Sequence, residues 1–149
     1  AIKESLPTLV DLRDEYGFKE RTKIMASGKL LTPAEVAWAL CAGADFINNA
    51  RGFLFSLGCI QALKCNKNTC PTGITTHDPD LQKGLVVENK TKRVANFAKQ
   101  MVKEVGIIAH ACGVNEPRQL KRSHVRMVFS NNISKPLNIL FPDKHSKYD

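Results

Sequence analysis

Apolar positions recur at helical spacing in two long stretches of this chain. In residues 2–16 they fall three or four residues apart, and this stretch ends at Gly17. In residues 89–112 the same spacing continues over a longer stretch that ends at Gly113. Both patterns predict amphipathic helices, because residues at this spacing share one helix face.

Two shorter apolar runs lie between these helices. Residues 22–26 and 44–47 are too brief for helices, and we predict both as buried strands. Between them, residues 32–35 have the form of a capping box with proline at the first helical position, which predicts a helix that ends at Gly43. Residues 48–52 are predicted to form a turn.

Helices and short strands therefore alternate, which is typical of α/β proteins with parallel strands. A complete eight-stranded barrel needs about 250 residues, and this chain has 149. We interpret it as the C-terminal portion of a TIM (β/α)8 barrel and as a piece of something longer. The predicted division is residues 1–58 as the last βα units, 59–80 as a metal-binding loop, and 81–149 as a helical extension with a polar tail from Ser130. Uncovered sheet edges predict that the isolated piece aggregates or stays partly unfolded.

Positive charge is concentrated in the second half of the chain. Residues 1–80 carry nine basic and nine acidic side chains, whereas residues 81–149 carry thirteen basic and five acidic ones. The long helix predicted over residues 89–112 presents several lysines, which suits an acidic protein partner or simple solvation. No aromatic platform accompanies the charge, so nucleic acid is not predicted as a partner. No apolar run approaches the length of a membrane span.

Three of the five cysteines stand close together and are the strongest chemical signal. Cys59, Cys65 and Cys70 are spaced C-x5-C-x4-C, and Pro71 follows the last one. This spacing lacks the paired knuckles of zinc sites and favours an iron–sulfur cluster. The alternative is that they are buried thiols without chemistry. An odd cysteine number without a signal peptide indicates reduced thiols and a cytoplasmic location.

A second candidate site follows the two predicted strands. Ser27, Gly28 and Lys29 form a turn where the first strand ends, and glycine lets a backbone approach a phosphate closely. Asn49, Ala50, Arg51 and Gly52 follow the next strand and add amides and a guanidinium. Together they are predicted to bind the phosphate of a flavin, in the manner of loops after the last two strands of barrels.

The same segments resemble glutamate synthase, specifically the C-terminal part of its FMN-binding barrel domain. The resemblance rests on residues 25–30, 32–37, 43–45, 57–60 and 65–73, of which the cysteine motif is the most specific part. It implies that Cys59, Cys65 and Cys70 hold a [3Fe–4S] cluster and that the turns at Ser27–Lys29 and Ala50–Gly52 lie where the FMN phosphate binds. Residues 48–52 depart from the Gly-x-Gly-Thr-Ala sequence of family members with a glutaminase half.

The implied reaction makes L-glutamate from 2-oxoglutarate and ammonia or glutamine nitrogen by hydride transfer from FMN. Ferredoxin or a reductase subunit is the implied electron donor. No catalytic acid or base is predicted, because the missing strands would carry most substrate contacts. The alternatives are an FMN and iron–sulfur oxidoreductase of another substrate, a non-enzymatic electron-transfer or metal-binding module, and a zinc-containing nucleic-acid-binding protein.

Overall fold

A computed structural model describes residues 2–129 and 133–143. Helix α1 spans Ile2–Glu15 and is followed by strand β1, Met25–Ser27. Helix α2, Pro33–Cys41, leads to strand β2, Phe46–Asn48. Strands β1 and β2 pair in parallel, with Ser27 opposite Asn48. The first part of the chain is thus a mixed α/β arrangement with short parallel strands, consistent with a piece of a barrel, and the described residues show no closed barrel.

The remaining elements are mainly helical. Helix α3, Ala50–Leu57, precedes a loop that contains a 3-10 turn at Cys65–Lys67, and helix α4 spans Pro79–Gln82. The long helix α5 spans Val87–Ala111. Two 3-10 turns, Pro117–Gln119 and Arg122–His124, precede an antiparallel pair of strands, β3 at Arg126–Val128 and β4 at Ser134–Pro136, and helix α6 at Leu137–Leu140.

The chain divides into two compact units. One contains the residues up to Asn49 together with those from Lys103 onward, and the other is Ala50–Val102. These compact units are a different kind of division from the predicted segments 1–58, 59–80 and 81–149, which follow the sequence motifs. The predicted segments stay a prediction.

The first unit has its core where α2 meets the end of α5. Ala37, Cys41, Ala109 and Leu120 form a buried cluster, and half-buried apolar side chains pack against it, among them Cys112. Cys41 is therefore a core residue, as its place on the apolar helix face predicts. Burial raises the pKa of the Cys41 thiol to about 11.

The predicted helices agree with the structure, including the capping box. The Thr32 hydroxyl accepts the Glu35 backbone N–H, and the Glu35 carboxylate accepts the N–H groups of Leu31 and Thr32. These backbone N–H groups of Thr32 and Leu31 lower the pKa of Glu35. The helix therefore starts at Pro33 for the local reasons that the sequence shows.

The strand predicted at residues 22–26 lies instead at Met25–Ser27. The Thr22 backbone N–H is used by the turn after α1, where it donates to the Phe18 carbonyl at 2.9 Å. The Ile24 N–H donates to the Asp45 carboxylate at 2.8 Å, and the same carboxylate binds Arg13 at 2.8 Å. The N–H groups of Thr22 and Ile24 are thus bonded to a turn carbonyl and to a carboxylate before the strand begins.

The turn predicted at residues 48–52 is wrong, because helix α3 begins at Ala50. Gly52 is buried in the first turn of this helix rather than lying in an open loop. Phe53, one turn into the helix, packs edge to face against Phe97, with ring centroids 5.1 Å apart. This packing stabilises a helix in a stretch whose Asn and Gly residues suggest a turn.

The polar tail predicted from Ser130 is also more ordered than expected where it is described. Ser134–Pro136 pair with Arg126–Val128, and Leu137 is completely buried. Residues 130–132 and 144–149 of this predicted tail lie outside the described residues.

Candidate cluster loop and phosphate turn

Helix α3 ends in a turn that places the first cysteine of the motif. Gly58 adopts a φ of +104°, and its N–H donates to the Phe55 carbonyl at 2.9 Å. The Cys59 N–H donates to the Leu54 carbonyl at 3.0 Å, which completes a Schellman motif. The position of Cys59 is thus fixed by the regular end of a helix.

The backbone after Cys59 is held in an uncommon conformation. Gln61, Leu63 and Asn68 all have φ between +55° and +57°, a region that non-glycine residues rarely adopt. The Gln61 N–H points at the Cys59 sulfur, with a nitrogen-to-sulfur distance of 3.4 Å. Such strained backbone concentrates at functional sites, and here it directs an N–H group toward a predicted ligand. The Leu63 side chain is 83% exposed.

Asn68 connects two parts of the loop by hydrogen bonds, the turn at Cys65–Lys67 and the residues before helix α4. The Thr76 hydroxyl donates to the Asn68 carbonyl at 2.7 Å, and the His77 N–H donates to the Asn68 side-chain oxygen at 2.6 Å. The Gln82 amide donates in turn to the Thr76 carbonyl at 2.7 Å. These bonds connect the turn at Cys65–Lys67 to helix α4 and give this side of the loop a defined shape.

Cys70 is the buried member of the cysteine motif, with 9% of its surface exposed. Its sulfur lies 3.3 Å from the Thr72 hydroxyl. Hydrogen bonding from Thr72 and from the backbone of Thr75 lowers the pKa of the Cys70 thiol to about 6. This environment favours the thiolate form of Cys70, which is the form that a metal would bind.

The three cysteines line one small cavity of about 20 Å³, together with Thr72, Thr75 and apolar side chains. The Thr75 hydroxyl is buried, and hydrogen bonding from this side chain contributes to the lowered pKa of Cys70. Among the described residues no three metal-binding side chains are close enough to hold one ion. Three cysteine sulfurs at one cavity are the type of ligand that binds iron–sulfur clusters, each thiolate on its own iron.

The predicted phosphate turn lies at the end of β1. Gly28 has φ +149° and Lys29 has φ +60°, so the chain reverses sharply after Ser27. A Cβ on Gly28 would lie 3.1 Å from the Ile2 side chain, which explains the glycine by close packing as well as by φ. Lys29 lines a cavity of about 380 Å³ in the first unit that also contains Trp38.

The other predicted phosphate residues are divided between the two units. Asn49 belongs to the first unit, where its amide lies 3.5 Å from the Leu31 carbonyl. Ala50, Arg51 and Gly52 belong to the second unit and form the first turn of α3. Their backbone N–H groups are therefore those of a helix N-terminus, and this element was not predicted from the sequence.

Within the part of the chain that the structure describes, no helix combines the length and the apolar character that crossing a bilayer requires.

Comparison with known proteins identifies the class of protein to which this arrangement belongs. Residues 2–115 match the conserved region in glutamate synthase. The chain is 48% identical over 124 residues to the glutamate synthase large subunit-like protein YerD of Bacillus subtilis, which covers 83% of the chain. It is 39% identical over 109 residues to glutamate synthase [NADH] of Schizosaccharomyces pombe and 33% identical over 116 residues to archaeal glutamate synthase [NADPH] of Methanocaldococcus jannaschii. These two alignments cover 72% and 78% of the chain.

The chain therefore belongs to the glutamate synthase family, as its motifs indicate. It spans 24% of the Bacillus relative, 22% of the archaeal one and 5% of the yeast one. The relatives are thus much longer than this sequence.

Proposed function

We propose that this chain contributes the iron–sulfur loop and part of the FMN site to an oxidoreductase of the glutamate synthase kind. The observation that carries the proposal is the convergence of Cys59, Cys65 and Cys70 on one cavity, within a segment matched by the family. When bound, FMN would supply the hydride that reduces the imine formed from 2-oxoglutarate and ammonia with loss of water, giving L-glutamate, and a [3Fe–4S] cluster would pass the electrons to the flavin. The chain's own residues bind and orient these groups.

Three features of the loop support the cluster assignment. The Cys70 thiol has a lowered pKa, so its thiolate is available at neutral pH. The Gln61 N–H points at the Cys59 sulfur, and Thr75, whose hydroxyl is buried, lines the same cavity. Hydrogen bonds to sulfur of this kind adjust the reduction potential of a cluster. Cys65 is exposed, so the third ligand lies on the open side of the loop.

Phosphate binding is proposed for Ser27, Gly28 and Lys29 and for Asn49, Ala50, Arg51 and Gly52. The support is that the first set follows a parallel strand directly, with two residues at positive φ, and the second set leads into the helix after the next strand. Helix N-termini and loops after strands favour phosphate because their backbone N–H groups and the helix dipole attract an anion. Lys29 and Arg51 add the positive charge.

The electron donor is proposed to be an acidic protein such as a ferredoxin or a reductase subunit. The second unit carries eight basic and three acidic side chains, and its loop at residues 60–69 is exposed throughout. An exposed cluster loop in a basic surface suits brief electrostatic docking of a donor. The five cysteines are unbonded, which suits a cytoplasmic location.

The decisive experiment measures iron, zinc, acid-labile sulfide and bound FMN on anaerobically purified protein. The expected result is about three irons and four sulfides per chain, lost in Cys65→Ser, whose exposed position leaves the fold intact. Cys112→Ser is the matched control, because Cys112 packs in the core of the first unit and should leave iron unchanged. Zinc without sulfide would refute the cluster. A cluster without any FMN would instead support an electron-transfer module.

FMN binding is tested separately by the quenching of flavin fluorescence. Lys29→Ala should weaken FMN binding about tenfold, since one charged hydrogen bond to phosphate is worth about 1.5 kcal/mol or more. Lys19→Ala removes an equally exposed lysine away from the strand ends and serves as the control. Equal binding by the two variants would remove Lys29 from the phosphate site.

A further inference from the structure

Two positive charges lie at the end of helix α3, directly before the first cysteine of the cluster loop. A Cβ placed on Gly58 would be 3.0 Å from the Lys90 ammonium and 3.9 Å from a terminal nitrogen of Arg93. Both cations come from the first turns of α5, and Gly58, Lys90 and Arg93 all belong to the second unit. The next residue along the chain from Gly58 is Cys59.

These two cations are not neutralised by neighbouring carboxylates. Among the described residues, neither Lys90 nor Arg93 forms an ion pair, whereas Lys83 in the same unit pairs with Asp80. Lys90 is half-buried, which limits screening of its charge by solvent, and Arg93 is exposed. Their positive charge is therefore available to stabilise negative charge near Gly58 and the adjacent Cys59.

The ordinary role of cations at this position is to stabilise the C-terminus of a helix. Here the Schellman motif at Gly58 and Cys59 already satisfies the carbonyls of Phe55 and Leu54. Cys59 nevertheless sits at the negative end of the helix, where an anionic thiolate and each added electron are disfavoured. The two cations lie beside Gly58, one residue before Cys59, and their positive charge opposes this effect.

We propose that Lys90 and Arg93 are positioning residues that raise the reduction potential of the cluster held at Cys59. They do so by stabilising the state with one more electron, which carries one more negative charge. The proposal rests on the proposed function, since it needs the cluster, but it assigns a role to two residues outside the cysteine motif.

The test is a redox titration of the reconstituted holoprotein with dithionite, one electron per cluster, followed by electron paramagnetic resonance. Lys90→Gln should lower the equilibrium constant for reduction about threefold to tenfold, which for a one-electron couple lowers the midpoint by about 30 to 59 mV. Lys90→Arg keeps the charge and should keep the wild-type midpoint. Arg93→Gln should shift it in the same direction and by less, because Arg93 is farther away and exposed.

Lys99→Gln is the matched control, because it removes one exposed lysine from the same helix beyond the contact with Gly58. A midpoint in Lys90→Gln that equals the wild-type or the Lys99→Gln value would overturn the proposal. Loss of iron and sulfide from both Lys90→Gln and Arg93→Gln would also overturn it, since the cations would then serve folding. Absence of the cluster from the wild-type protein would refute the proposed function itself, so the two failures are distinguishable.

Discussion

The buried arginine at Arg122 gives a quantitative test of how the end of the chain is held. Its guanidinium is 5% exposed and lies 2.7 Å from the Asp11 carboxylate of helix α1. It also donates to the Phe141 carbonyl at 2.9 Å and to the Pro7 carbonyl at 3.3 Å. One side chain therefore joins the first helix to the segment after α6.

Replacing Arg122 with methionine removes these contacts and leaves a carboxylate without its cation. Breaking a buried pair in this way costs about 3–5 kcal/mol. Asp11 retains 16% side-chain exposure, so the lower value of about 3 kcal/mol applies. If the free energy of local unfolding of the segment around α6 falls by about 3 kcal/mol, the equilibrium constant for that local unfolding rises about 150-fold.

Hydrogen exchange followed by mass spectrometry measures this opening directly. The amide of Leu137 donates to Val125 and that of Phe141 donates to Leu137, so peptides covering these amides should exchange about 150-fold faster in Arg122→Met. Lys121→Met removes the neighbouring exposed charge and should change exchange by less than about threefold.

A double variant measures the interaction energy of the Asp11–Arg122 ion pair separately from the other contacts of Arg122. Asp11→Asn combined with Arg122→Met should cost less than the sum of the two single changes, because the unpaired carboxylate is then absent. Exchange in Arg122→Met within about threefold of the wild-type rate would refute the reasoning, and so would exact additivity in the double variant.

Four further predictions concern single residues. Gly73→Ala should destabilise the cluster loop by about 2 kcal/mol or more and lower iron content, because φ is +76° and a Cβ would lie 2.5 Å from the Leu81 carbonyl; unchanged iron would contradict this. Thr32→Ala should cost about 1 kcal/mol in urea unfolding. The pKa of Glu35 is lowered in the folded protein, so its carboxylate contributes fully to the free energy of unfolding above its ordinary pKa of 4.5. That contribution is lost as the pH falls through the folded-state pKa. Glu35→Gln should therefore weaken the dependence of stability on acid pH, measured by urea unfolding at several pH values. The Cys41 thiol, with its pKa of about 11, should resist iodoacetamide at pH 8 until urea is added, and equal labelling without urea would contradict its burial.

The helices of this protein are largely determined by local sequence. The capping box at Thr32 and Glu35, the apolar spacing in α1 and α5, and the glycines that end these helices are all readable without a structure. The cysteine spacing likewise predicts the metal-binding loop, and the structure brings these three cysteines to one cavity. These signals are local, since each depends on residues within a few turns of one another.

Tertiary structure decided the features that depend on distant partners. The first strand begins late because the Asp45 carboxylate occupies the Ile24 N–H, a contact across 21 residues of sequence. Arg122 reads as one more surface charge in the sequence, and only its contacts with α1 make it a buried link. The cations beside Gly58 come from a helix about thirty residues further along the chain. Spacing along a chain shows which residues share a helix face, whereas burial and charge compensation depend on which segments fold against each other.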